Sequence, residues 1–96
     1  MTDKLNDESI EGWLKGRKRW KRSGNALTKS FGFPSFRDAI VFVNRVASLA
    51  DESDHHPDID IRYTTVILSL TTHSAHGLTE KDLRLAAEVD FATSSA

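Results

Sequence analysis

The chain has 96 residues, 39% of them hydrophobic and 28% charged, with a formal net charge of −1. That length suits one domain with one core, and the near-neutral balance gives no ground for nucleic-acid binding. There is no cysteine, which excludes disulfides, a thiolate nucleophile and Cys-ligated metal centres, and neither an apolar leader nor a membrane-spanning run is visible. The expectation is a single cytoplasmic domain over residues 1–96, with no membrane or nucleic-acid partner.

Asn6 can cap a short first helix, on which Ile10, Trp13 and Leu14 share one face, and Gly16 offers a stop. A basic stretch follows: Lys15, Arg17, Lys18, Arg19, Lys21 and Arg22. Such a run can meet phosphates, but with acidic residues balancing it elsewhere it reads as a solvated face. Ser23-Gly24-Asn25 supplies residues that tolerate a tight turn, so Arg19–Arg22 and Ala26–Phe33 read as a hairpin. Leu27, Phe31 and Phe33 share parity, and Lys29 interrupts it.

Pro34-Ser35 opens the strongest helix, with Ser35 to Asp38 resembling a capping box. Its apolar stripe is Phe36, Ala39, Ile40, Val43, Val46, Ala47 and Ala50, and it fades at Asp51. Asp51–Asp60 reads as an acidic, His-rich loop around Pro57. Ile59, Ile61 and Tyr63 then alternate, as do Val66, Leu68 and Leu70 on the opposite parity. A period of two cannot change parity without a break, which places a turn near Thr64-Thr65 and Tyr63 in the core. Gly77 marks a loop. Thr79 looks like an N-cap with Asp82 at N3, and Leu83, Ala86 and Ala87 begin a last helix before a fraying tail, Thr93–Ala96. The order α-β-β-α-β-β-α indicates an α+β two-layer domain, an antiparallel sheet with helices on one face. The bare face or an edge strand of such a sheet invites a partner subunit.

Four histidines stand out: His55, His56, His73 and His76. If the two strands after Pro57 pair, His73 at the end of the second approaches the His55-His56 corner. Histidine ordinarily titrates near neutrality, so convergent imidazoles make an acid–base site. Pro57 stiffens the corner and biases His56 toward extended backbone, where neighbours point apart, so His55 and His56 have different jobs. Zinc on three imidazoles is the rival reading, without the spacing of common zinc motifs. His76, beside Gly77, reads as a loop histidine without a role. Asp51, in a helix tail, carries a charge unfavourable to the helix dipole, whereas Asp82 is favourable near a helix start.

Taken together, these residues resemble the pterin-4a-carbinolamine dehydratase family. Its pattern is matched at every spacing. Asp51 is followed after three residues by His55-His56-Pro57, after five more by Tyr63, after nine by His73 and after eight by Asp82. Phe42–Ala47 resembles the family's central helix, and Thr71–His73 with Gly77–Asp82 its strand-to-helix junction. Trp20 matches a tryptophan at the start of the first strand. The resemblance spans roughly residues 20–90. It implies a four-stranded antiparallel sheet with three helices on one face, and a homodimer or homotetramer. The activity it implies is dehydration of 4a-hydroxytetrahydrobiopterin to quinonoid dihydropterin, with no metal and no cofactor.

By this analogy His55 and His73 are the acid–base groups and His56 binds and orients the pterin. Asp82 orients a histidine, Asp51 holds the entrance, and Trp20 packs beside the ring or in the core. Two other readings stand beside it: a non-catalytic protein-binding or dimerisation module, and a dehydratase-like protein acting in molybdenum cofactor or folate metabolism.

Overall fold

A computed structural model describes residues 3–17 and 19–94. Lys18 of the basic run and the last two residues of the tail lie outside the described residues. The elements are α1 (Asp7–Lys15), β1 (Lys21–Ser23), β2 (Ala26–Gly32), α2 (Phe36–Ser53), β3 (Asp58–Arg62), β4 (Thr65–Leu70), a 3-10 turn (His73–Ala75) and α3 (Glu80–Ser94).

The helix starts follow their capping residues. The Asn6 side chain accepts from the Ser9 N–H at 2.8 Å, and Ser35 Oγ accepts from the Asp38 N–H at 3.1 Å. At the third helix, Thr79 Oγ1 accepts from the Lys81 N–H while Asp82 reaches back to accept from the Thr79 N–H at 2.9 Å. The return bond from Asp82 is that of a capping box with Asp in the Glu position, while the Thr79 hydroxyl caps the N2 amide. Thr93 and Ser94, expected in a frayed tail, continue this helix, where Thr93 Oγ1 donates to the Val89 carbonyl.

The four strands form one antiparallel sheet in the order β1-β2-β4-β3. In β4 the buried residues are Val66, Leu68 and Leu70. Register places Phe31, Lys29 and Leu27 of β2 and Ile61 and Ile59 of β3 on the same face. Against that face pack Ile10 of α1, Ala39, Phe42 and Val46 of α2, and Leu83, Leu85, Ala86 and Val89 of α3. The other face carries Thr28, Ser30, Thr65, Ser69, Asp58, Asp60 and Arg62 around one half-buried apolar residue, Ile67, a mostly polar set. This period-2 division is what one-sided burial demands.

Lys29 breaks the apolar parity because it has a partner. Its ammonium lies 2.6 Å from Asp90 Oδ1 on α3, over the rings of Phe31 and Trp20. Several details depart from the sequence reading. The buried stripe of α2 is Ala39, Phe42, Val46 and Ala50, with Val43 and Leu49 half-buried, whereas Phe36 and Ala47 are exposed. The stripe is rotated because Phe42 stacks on Phe31 and Phe33, with centroids 4.7 and 5.0 Å apart.

The helix also runs past Asp51 to Ser53, and β3 begins at Asp58, so the expected loop is only 54–57. The β3–β4 turn is Tyr63-Thr64, one residue earlier than expected, because Arg62 pairs with Thr65. Tyr63 takes a positive φ of 54° and is exposed, not in the core. Finally, β4 ends at Leu70, so His73 opens the 3-10 turn instead of closing a strand.

Candidate active site

The C-terminus of α2 sets the first histidines. Asp54 adopts left-handed backbone, φ 51°, a conformation that Asp tolerates better than most side chains. Its N–H donates to the Asp51 carbonyl, and the His55 N–H donates to the Ala50 carbonyl at 3.1 Å. This paired closure is a Schellman motif, and it fixes the backbone at His55 as the chain leaves the helix.

Strand pairing then brings distant residues alongside. Asp58 pairs with Ser69, so the segment before Asp58 runs back along the residues that follow Leu70. The side-chain contacts agree. His55 Nε2 donates to Asp82 Oδ1 at 2.6 Å, and Thr72 Oγ1 donates to Asp82 Oδ2 at 2.7 Å. With the Thr79 N–H, the Asp82 carboxylate accepts three hydrogen bonds while fully buried. Thr72 and Thr79 share a further bond at 2.8 Å. A buried carboxylate held from three directions cannot turn away, so it imposes one orientation on the His55 ring. Its place at the first turn of α3 adds the favourable end of the helix dipole.

His56 is in a different setting. Its Nε2 lies 2.9 Å from Asp51 Oδ1, and both side chains are largely in water. Such a pair holds its partners loosely. Pro57 is half-buried between this corner and β3. His73 is exposed on the 3-10 turn, within a loop closed by reciprocal backbone bonds between Thr72 and Gly77. It lines an open pocket of about 300 Å³ together with Asn25, Ala26, Thr71 and His76. Thr79, expected only as a helix cap, and Thr72, which did not stand out as a site residue, complete the Asp82 network. Their signal was the hydroxyl run Thr71-Thr72 followed by an N-cap at Thr79. His76, read as a plain loop residue, lines the same pocket as His73.

Trp20 takes the second of its two expected places, in the core. It is 3% exposed, edge-on to Phe31, and its Nε1–H donates to Asp90 Oδ2 at 2.8 Å. It precedes β1, at the opposite edge of the sheet from the strand that follows Pro57. Three strand spacings separate those edges, about 14 Å. Trp20 is a core residue, and the large ring is there to fill space under α3.

Among the described residues, no group of three or more His, Asp or Glu side chains is arranged to hold a metal ion, and no helix is long and apolar enough to cross a membrane. A larger groove of about 640 Å³ runs along α2 and the end of α3, lined by Val41, Phe42, Arg45 and Thr93 among others, and it holds no histidine.

The architecture defines a two-layer α+β protein whose buried carboxylate orients a histidine at one end of the sheet, with further histidines close by in the chain. The chain belongs to the pterin 4 alpha carbinolamine dehydratase family, whose model matches residues 3–92 and so takes in the first helix as well as the histidine pattern. It is 52% identical over 90 residues to a protein of Roseiflexus sp. (strain RS-1) provisionally named a pterin-4-alpha-carbinolamine dehydratase, covering 94% of this chain and 97% of that one. A relative of the same provisional name from Mycolicibacterium smegmatis is 46% identical over 86 residues, covering 90% and 92%.

Among solved structures, the fold matches a transcriptional coactivator/pterin dehydratase from Brucella melitensis. The TM-score is 0.87 at 31% identity, over 92% of this chain and 96% of that one. It also matches a pterin dehydratase-like protein identified as a RuBisCO assembly factor in the alpha-carboxysome. There the TM-score is 0.62 at 30% identity, over 75% and 83%.

Proposed function

We propose that this protein is a 4a-hydroxytetrahydropterin dehydratase, using histidines for proton transfer and no bound cofactor. The observation that carries the reading is the 2.6 Å contact from His55 Nε2 to the buried Asp82. A fully buried acceptor at this position has no structural need of a titratable partner. A histidine held by it is a positioned acid–base group.

The reaction breaks the C4a–O bond and removes the N5 proton, leaving a C4a=N5 double bond and one water. Hydroxide is a poor leaving group, so the hydroxyl takes a proton as it departs. The N5 proton passes to a base. His55 and His73 are the two groups proposed for these tasks. With Nε2–H committed to Asp82, the other ring nitrogen of His55 is left to exchange a proton with substrate, the orienting logic of a histidine backed by a carboxylate. His56, tethered to Asp51 at the exposed corner, binds and orients the pterin, and Pro57 stiffens the corner that carries it. The substrate is a small molecule free in water, and the open pocket at His73 offers it room, although His55 and His56 do not line that pocket. We place the enzyme in the cytoplasm and assembled as a homodimer or homotetramer.

A second reading is a non-catalytic binding module. It is favoured by the structural neighbour identified as a RuBisCO assembly factor. Action on a different pterin is a variant of the first reading.

The test is a coupled assay in which an aromatic amino acid hydroxylase generates the carbinolamine and its dehydration is followed by absorbance. Acceleration by catalytic amounts of the protein, unchanged by a chelator, is expected. No acceleration from folded protein favours the binding module.

A further inference from the structure

Of the four histidines, two are engaged by carboxylates: His55 by Asp82 and His56 by Asp51. Among the described residues, the rings of His73 and His76 make no hydrogen bond within the chain. Both line the same pocket. They are held there by a tight device. The His76 N–H donates to the His73 carbonyl at 3.1 Å, and Thr72 and Gly77 close the loop around them. Opposite stands the tip of the β1–β2 hairpin, fixed to the end of β4 by Thr71 Oγ1 donating to the Asn25 carbonyl at 2.6 Å. The pocket thus has two anchored walls, one presenting the two imidazoles and the other Asn25 and Ala26.

His76 takes left-handed backbone, φ 57°. A side chain with a Cβ is disfavoured there, and glycine or asparagine would serve the turn better. Histidine is among the side chains that tolerate this conformation, and here it lines the pocket beside His73.

We infer that His76, with the amide of Asn25, forms a subsite for a hydroxylated substituent on C6 of the pterin. This rests on the dehydratase reading. In the pterin ring C4a is bonded to N5, and N5 to C6. If His73 meets the C4a hydroxyl or the N5 proton, the substituent begins two bonds beyond N5, within the same small pocket. Imidazole and carboxamide each donate and accept, which matches the hydroxyls of a dihydroxypropyl chain. Both residues are exposed, so this end of the pocket opens to water, where a substituent must lie. His76 is a specificity residue here and takes no part in proton transfer.

The experiment observes the imidazole signals of the full chain by NMR during titration with 7,8-dihydrobiopterin, and separately with 6-methyl-7,8-dihydropterin, which lacks the hydroxyls. Expected is movement of His55 and His73 with both ligands and of His76 with the hydroxylated one alone. His76→Gly suits the left-handed backbone and keeps the fold, as an unchanged or raised Tm verifies. It should weaken 7,8-dihydrobiopterin by about three- to tenfold, the worth of one neutral hydrogen bond, leave the methyl ligand unchanged, and be partly rescued by His76→Asn. If His55 and His73 respond but His76 does not, and His76→Gly binds both ligands like the wild type, the subsite is wrong and the pterin site stands. Equal weakening of both ligands also overturns it, since His76 would then touch the ring. If no histidine responds to either ligand, the pterin reading itself fails and takes the subsite with it.

Discussion

The two ends of α3 carry the same device and put it to different use. Near the start, Asp82 is fully buried and accepts from His55, Thr72 and the Thr79 N–H. Two turns on, Asp90 is partly buried and accepts from Trp20 and Lys29. The separation of eight positions between them spans about 12 Å of helix. Each carboxylate ties the helix to the sheet side of the core. The difference lies in the partners. At Asp90 they are an indole N–H and an ammonium, and that end is a fixed clamp. Histidine ordinarily exchanges protons near neutrality, so the Asp82 end is the one proposed to take part in catalysis. A buried carboxylate alone does not mark a site, and the side chain it holds decides.

This contrast can be broken in several places. The largest effect is expected from removing both proposed proton-transfer groups. His55→Gln with His73→Ala should lower kcat by roughly 10²–10⁴-fold. The glutamine keeps a donor toward Asp82, so circular dichroism and Tm should show a folded protein. Loss of less than tenfold would sink the assignment. Next comes Asp82→Asn, which presents an amide where the carboxylate accepted. It should cut kcat by about 10²-fold through misoriented His55. It should also cost about 1–3 kcal/mol of stability from disturbed buried hydrogen bonds, read by urea unfolding.

Asp90→Asn should cost a similar 1–3 kcal/mol by leaving half-buried Lys29 without its counter-charge. That corresponds to roughly 4–8 °C of Tm per kcal/mol, with kcat within about twofold of wild type. The smallest effect belongs to Asp51→Ala. Its pair with His56 is in water and worth about 0–1 kcal/mol, so stability should hardly move, and KM should rise by no more than about fivefold.

Much of the fold was legible because its signals are local. Asn6, Ser35 and Thr79 announce three helix starts, and the parity change between Ile61 and Val66 requires the turn found at Tyr63-Thr64. The position of that turn missed by one residue because register, set by Arg62 against Thr65, is a property of the pair and not of either strand. Lys29 was visible as an interruption, but its partner lies 61 residues away, and no local pattern encodes that. Trp20 stayed open between ligand and core for the same reason, since a tryptophan at a strand start reads alike in either place. The Asp51, His55, His56, His73 and Asp82 pattern could be read as a family motif. That Asp82 meets His55, and that His76 shares a pocket with His73, needed the pairing of β3 with β4 and the closed loop at Thr72–Gly77.

The most direct test compares wild type, Asp82→Asn and Asp90→Asn side by side in the coupled dehydration assay, with unfolding measured on the same samples. The account predicts acceleration by the wild type, a similar loss of stability in both variants, and a fall in kcat of about 10²-fold confined to Asp82→Asn. Equal activity in the two variants, or no acceleration by folded wild-type protein, would contradict it.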